Sequence, residues 1–272
     1  TQSTLSWKNY LELCKPKVVL LLVFTANVGM LLAVPGMPPI TEFIIATFGI
    51  GLSSASAAAI NHYIDQKADA EMARTQNRPL PSGDLNSRNV LIFAGILGII
   101  GILLLVVFIN LLTAVLTFLS LIGYAIIYTV YLKRLTPQNI VIGGAAGAAP
   151  PVLGWCAMTG EVHPYALLLF LLIYVWTPPH FWALALFMRN DYDDAKVPML
   201  TVTHGRRSTR NHILGYTLVL AAVAVGAGYT SLGGPAYVAV AVVLNIAFIT
   251  GAVDIWRRDE TDSEADDFKV ER

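Results

Sequence analysis

The chain predicts an all-α, polytopic membrane helical bundle, and three observations predict it. The residues are 56% hydrophobic and 13% charged, whereas soluble domains carry about 25% charged residues. The mean hydropathy is +0.62. Apolar stretches near the length that crosses a bilayer, about 20 residues, recur at 18–34, 40–62, 89–109, 111–131, 140–158, 165–188, 212–231 and 235–253.

The connections support that count of eight. The N-terminal arm holds Lys8, Lys15 and Lys17, and the link from Pro35 to Pro39 has no charge. The next link carries Lys67, Arg74, Arg78 and Arg88, and the turn at Asn110 is uncharged. Lys133 and Arg134 follow the fourth span, while Thr159 to Pro164 offers only Glu161 and His163. The remaining basic residues continue the alternation, so with eight spans all 18 Lys and Arg fall on one side. The positive-inside rule then puts both termini and every polar loop of any size in the cytoplasm. One span missed or invented would scatter those charges. No small-residue cleavage site follows the first apolar run and no Arg-rich transit segment precedes it, so a bacterial inner membrane is the expected home. Cys14 and Cys156 have neither pairing nor metal spacing and are expected to be inert. No linker divides residues 1–272, which are expected to form one domain. A weak repeat gives two similar halves, each a span pair, an acidic loop and a second span pair.

The second span runs into the stretch Asn61 to Gly83, which has no Gly or Pro until Pro79. If the helix continues, Asn61, Asp65 and Asp69 stack at i, i+4 and i+8. Two carboxylates one turn apart repel unless a cation sits between them. Mg²⁺ takes carboxylate oxygens and completes its shell with water and substrate phosphate. Arg74 and Arg78 repeat the four-residue spacing with the opposite charge, and a guanidinium fork suits phosphate oxygens. The bland alternative is a solvated helix face laced with i,i+4 pairs. Placement at the end of a membrane span, and a second acidic cluster, favour a diphosphate site.

In the fourth span, Tyr124, Tyr128 and Tyr131 at helical spacing either line a cavity, where their ring faces stabilise a carbocation, or pack. The small-residue run Gly143 to Ala149 lets a helix or a flat ligand approach closely. In the sixth span, Pro178-Pro179-His180-Phe181-Trp182 marks a helix break with an ionisable group in the membrane, a functional-site candidate by default. His180 is either a packing histidine bonded to a neighbouring helix, an axial ligand to a metalloporphyrin, or an acid/base group. His62, His163, His204 and His212 lie at loops or span ends and rank below it. The second acidic loop follows, with Asp191 and Asp194 on one helical face and Asp193 pointing elsewhere. Two acidic clusters at equivalent depth suit metals that bridge one diphosphate.

Together these residues resemble the UbiA-type intramembrane prenyltransferases, through Asn61-xxx-Asp65-xxx-Asp69 and the second acidic loop. Met72-Ala-Arg74-Thr75-xx-Arg78-Pro79-Leu80, Tyr128-Thr-x-Tyr-Leu-Lys133-Arg134, Ile142-Gly-Gly-Ala-Ala-Gly to Gly154-Trp155, and Trp176-x-Pro-Pro-His180-Phe181-Trp182, with Asp191-Tyr192-xx-Ala195 after it, are similar to the haem-acting members. The resemblance covers nearly the whole chain. It implies farnesyl transfer from farnesyl diphosphate to a vinyl group of haem B, with addition of water, giving haem O and diphosphate. It implies Mg²⁺ and diphosphate held by Asn61, Asp65, Asp69 and Asp191, with Asp194 counted among the metal ligands. Arg74, Arg78, Lys133 and Arg134 would surround the phosphates, and His180 would lie near the haem. The implied partners are the two substrates, the lipid bilayer, and a downstream haem A synthase or terminal oxidase; no nucleic acid is expected. The family usually has nine spans, and this chain reaches Phe268 to Arg272 where a ninth would begin. The alternatives are prenyl transfer to a quinone-ring precursor, which the Pro-Pro-His-Phe-Trp stretch argues against, and a transporter. A transporter would carry its ionisable groups at mid-membrane on broken helices, whereas these acids sit at one surface.

Overall fold

The computed structural model describes residues 7–71, 75–194 and 197–258, and no strand occurs among them. A short helix α1 (Trp7–Leu13) precedes α2 (Pro16–Ala33), α3 (Ile40–Glu71) and α4 (Ser87–Phe108). The helix α5 (Leu111–Ile122) passes directly into a π-helix (Gly123–Leu132), followed by the single turn α6 (Lys133–Leu135). Then come α7 (Asn139–Ala148), α8 (Pro150–Thr159), α9 (Pro164–Phe187), α10 (Arg189–Asp194), α11 (Leu200–Thr203), α12 (Gly205–Ala227) and α13 (Pro235–Trp256). Eight spanning helices result among the described residues, with α5 and the π-helix forming one and α7 and α8 another. The chain is a multi-pass membrane protein.

The helix ends follow from local chemistry. Pro16 and Pro235 stand at the first positions of α2 and α13, where a fixed φ helps and no amide donor is missed. Asn86 caps α4 by accepting from the Arg88 amide at 2.8 Å, and Asn110 caps α5 by accepting from Thr113 at 2.8 Å, each satisfying an orphan donor. Gly160, at φ 73°, closes α8 in the left-handed conformation.

Three features bear on the expectations. First, α3 runs past the apolar limit at residue 62 to Glu71, the continuation that the stacking of Asn61, Asp65 and Asp69 required, so the acidic residues ride on the spanning helix itself. Second, the Pro178-Pro179 pair does not break α9, which is continuous from Pro164 to Phe187. The two prolines only deprive the Tyr174 and Val175 carbonyls of their i+4 donors. Third, α12 begins at Gly205, ahead of the apolar run.

The chain forms two compact units, Thr1–Tyr131 with Ala149–Leu167, and Leu132–Ala148 with Leu168–Arg272. These are not the two sequential halves, because the fifth span divides between α7 and α8. The first unit is built on α3, which packs against α1, α2, α4, α5 and α8. Its small residues make this possible: Ser53 and Ser56 are buried and return their hydroxyls to backbone carbonyls, Ser56 to Ala94 of α4 at 2.8 Å. The α2–α8 crossing explains why α8 belongs here. A Cβ at Gly29 would strike the Pro151 carbonyl, and one at Gly154 the Ala26 carbonyl. In the second unit Ile140, Trp182, Leu186, Leu200 and Ile213 share one core. Gly144 of α7 lies so close to α9 that a Cβ there would sit 3.1 Å from Thr177 Cγ2, so at Gly144 the small-residue run serves helix packing. Large apolar side chains such as Leu20, Phe24, Ile99 and Val243 are exposed, as suits helices whose surroundings are lipid.

Candidate diphosphate and acceptor sites

In the first unit, α3 carries Asn61, Asp65 and Asp69 on one face, and all three are buried, at 4%, 3% and 4% exposure. The i, i+4 spacing is realised in contact: Asn61 Nδ2 donates to Asp65 Oδ2 at 3.0 Å. The same nitrogen donates to Thr129 Oγ1 of the π-helix at 3.1 Å, and Thr129 in turn donates to the Tyr124 carbonyl at 2.9 Å. That last bond spans five residues, so the π-helical register brings Thr129 onto the acidic face. Asp69 accepts an ion pair from Arg78 Nη1 at 2.7 Å. Residues 75–85, which present Arg78, are held at both ends. Thr75 donates to the Asp69 carbonyl at 2.9 Å, while Leu80 and Leu85 bury themselves with Leu13, Ala59, Val90 and Ala94. Arg74 lies outside the described residues.

Sequence reading missed two members of this cluster, Lys15 and Thr129. Lys15 Nζ donates to Asn61 Oδ1 at 2.6 Å. Lys15 is the one non-glycine residue with positive φ among those described, at φ 47° and ψ 62°. A side-chain-bearing residue in that region costs on the order of 1–3 kcal/mol, which the surrounding contacts must offset. The only signal in the sequence was a lysine directly before Pro16; nothing local marked Thr129. Cys14 beside it donates to the Tyr10 carbonyl at 3.4 Å, and burial pushes its thiol above the ordinary value, as an inert cysteine requires. His62, ranked low from sequence, is 3% exposed inside α3, with both ring nitrogens lacking a hydrogen-bond partner among the described residues.

The tyrosine stripe divides. Tyr124 and Tyr128 stack at 5.7 Å and 15°, but Tyr131 is 57% exposed. In a π-helix seven residues no longer complete two turns, so Tyr131 swings off the shared face.

The second unit holds the other candidates. Asp191, Asp193 and Asp194 lie on α10 and are exposed. Lys133 opens α6, and its carbonyl accepts from Asn139 Nδ2 at 3.2 Å; the Arg134 side chain lies outside the described residues. His180 is exposed, with its ring stacked on Trp176 at 4.4 Å and 15° and meeting Phe181 edge-on. Trp182, two residues on and thus on the opposite face, is fully buried between the rings of His212 and Tyr216. Trp182, not His180, is the packing residue of this motif. Among the described residues no three His, Cys, Asp or Glu side chains converge as a complete metal cage. The carboxylates of Asp65 and Asp69 on one face instead form a pair of hard oxygen donors, with the Asn61 amide oxygen beside them held by Lys15.

The pattern of the UbiA prenyltransferase family matches residues 22–270. Over 254 residues the chain is 60% identical to the protoheme IX farnesyltransferase of Methylococcus capsulatus, covering 93% of this chain and 85% of that protein. A digeranylgeranylglyceryl phosphate synthase structure superposes with a TM-score of 0.80 at 20% identity, covering 97% of this chain and 91% of that one. A UbiA homologue from Archaeoglobus fulgidus bound to DMAPP and Mg²⁺ superposes at 0.74 with 12% identity, covering 97% and 95%. At such identities those two structures speak for the fold, which is the fold derived above. The chain belongs to the UbiA prenyltransferase family.

Proposed function

We propose that this chain is a Mg²⁺-dependent enzyme of the bacterial inner membrane that transfers the farnesyl group of farnesyl diphosphate to a vinyl group of haem B, with addition of water, giving haem O and diphosphate. The buried face of Asn61, Asp65 and Asp69, with Arg78 paired to Asp69, carries the reading. The substrates follow from the 60% identity to a relative named for farnesyl transfer to protoheme IX.

The donor set fits the metal. Mg²⁺ needs only one or two carboxylates beside water and phosphate oxygens, and Asp65 and Asp69 supply those from one helix face. Asn61 would add its amide oxygen once Lys15, which holds it, turns to a phosphate, and Asp191 and Asp194 are the acidic candidates of the second unit. When bound, the metal would supply charge neutralisation for the departing diphosphate. Arg78, and with it Arg74, would add donors to the phosphate oxygens, and Lys133 and Arg134 are the basic candidates of the second unit. The C–O bond of the allylic carbon breaks with its electron pair leaving on diphosphate. The vinyl π electrons form the new C–C bond, and the cation left beside the porphyrin ring takes a water oxygen and releases a proton. Helices must exclude bulk water until that last step. The exposed Trp176–His180 stack is a flat aromatic surface suited to a porphyrin edge or face, with His180 the residue that orients it.

Purified protein supplied with farnesyl diphosphate, haem B and Mg²⁺ should yield a hydroxyethylfarnesyl porphyrin by mass spectrometry, and none when EDTA replaces Mg²⁺. Prenylation of a quinone-ring precursor with no product from haem would overturn the reading.

A further inference from the structure

We propose that Lys15 is a positioning residue of the metal cluster: its ammonium holds the Asn61 amide and makes metal binding depend on diphosphate. This rests on the metal reading above. Three independent placements deliver Lys15 to the cluster. Leu13 is fully buried with Ala59 of α3 and Val90 of α4, which anchors the end of α1. The Lys15 amide then closes a turn onto the Glu12 carbonyl at 3.0 Å, while its own carbonyl accepts from Val18 and Val19 at the start of α2. Between these anchors the backbone takes the left-handed conformation, which a lysine adopts only when its surroundings over-determine it. The side chain so directed reaches Asn61 Oδ1, 46 residues away in sequence, at 2.6 Å.

The consequence follows from donor chemistry. An ammonium has donors only, so it can face only the oxygen end of an amide. With Oδ1 turned to Lys15, Asn61 must present Nδ2 to Asp65 Oδ2 and Thr129. Lys15 thus serves the Asn61–Asp65 end of the acidic face as Arg78 serves the Asp69 end. Buried carboxylates need such partners. Each partner also opposes a divalent cation, Lys15 by repulsion and by engaging the amide oxygen that a metal would prefer. A diphosphate relieves both, because its oxygens accept from the ammonium and the guanidinium as the metal arrives. Metal alone therefore binds weakly and metal with diphosphate binds tightly.

The test measures Mn²⁺ binding to the full chain in detergent by the EPR signal of the free ion, with no substrate present. Lys15→Met should bind Mn²⁺ at least tenfold more tightly than the wild type, and Lys15→Arg should match the wild type. Lys15→Gly removes the ammonium in a residue at ease with positive φ, so it should fold at least as well and bind as Lys15→Met does. Adding inorganic diphosphate should tighten Mn²⁺ binding strongly in the wild type and at least tenfold less in Lys15→Met and Lys15→Gly. A merely structural lysine would leave metal affinity unchanged or reduce it in every variant. Lys15→Met and Lys15→Gly binding no more tightly than a wild type that does bind Mn²⁺ would overturn the role of Lys15 alone. A wild type that binds no Mn²⁺ even with diphosphate would overturn the metal reading, and this inference with it.

Discussion

Arg78 and Asp69 meet at 2.7 Å across nine residues of sequence, with the guanidinium side chain 27% exposed and the carboxylate 6%. The pair therefore stands at a boundary, with the acid buried in the helix and its partner reaching out to the loop. Removing the guanidinium leaves a buried carboxylate short of a partner, and it also removes a donor from the proposed diphosphate. Arg78→Gln should lower prenyl transfer by about 10²-fold or more, the scale of losing one preorganised donor at developing charge, with kcat falling more than the haem KM rises. Steady-state kinetics with both substrates checks this. Near-normal turnover would detach Arg78 from the chemistry.

Asp65→Asn and Asp69→Asn should each nearly abolish transfer while the chain still inserts and folds, because each removes a charge from a site whose work is neutralisation. The two differ in one respect. Asp69→Asn also removes the charge opposite Arg78, leaving the guanidinium to repel the metal, so raising Mg²⁺ should recover less activity in it than in Asp65→Asn. Activity at ordinary Mg²⁺ in either variant would remove the diphosphate-site argument.

His180 is exposed and stacked on Trp176, so removing it should cost the fold little. His180→Ala is expected to keep its unfolding temperature while haem affinity and turnover fall together and farnesyl diphosphate binding stays intact. Titration with haem, followed by the absorption spectrum, reads the difference. An unchanged affinity and spectrum would end the role of His180 at the haem. Trp182→Ala should do the reverse, destabilising by about 3–5 kcal/mol as buried aromatics do.

The α2–α8 crossing leaves no room for a side chain at Gly154. Gly154→Val should therefore destabilise by about 1–3 kcal/mol or more, the cost of overpacking, seen as a lowered unfolding temperature. Gly147, with nothing within reach of an added Cβ, should tolerate alanine far better.

With both ends proposed to be cytoplasmic, reporters at Pro38, Glu161 and Gly233 should read outside, and those at Asn77 and Arg207 inside. A reporter after Trp256 should also read inside. Finding that one outside would unseat the orientation and the pairing of the two acidic loops.

The bilayer made most of the architecture readable from residues alone. Its thickness demands apolar runs of about 20 residues, and the eight runs in the chain became the eight spanning helices. The ladder of Asn61, Asp65 and Asp69 was equally legible, because i, i+4 contact is a property of one helix and needs no neighbour. What the tertiary structure decided involved partners far apart in sequence. Lys15 reaches Asn61 across 46 residues and Thr129 reaches it across 68, and no local period records either contact. The prolines of α9 looked like a break because their missing donors are a local fact, whereas the helix is held by packing such as Gly144 on Thr177 and Trp182 among His212 and Tyr216. The same packing chose which of two aromatic positions, two residues apart on opposite faces, turned inward, burying Trp182 and leaving His180 exposed. Composition names the residues available to a site, but only the closing of distant helices on one another selects which of them meet.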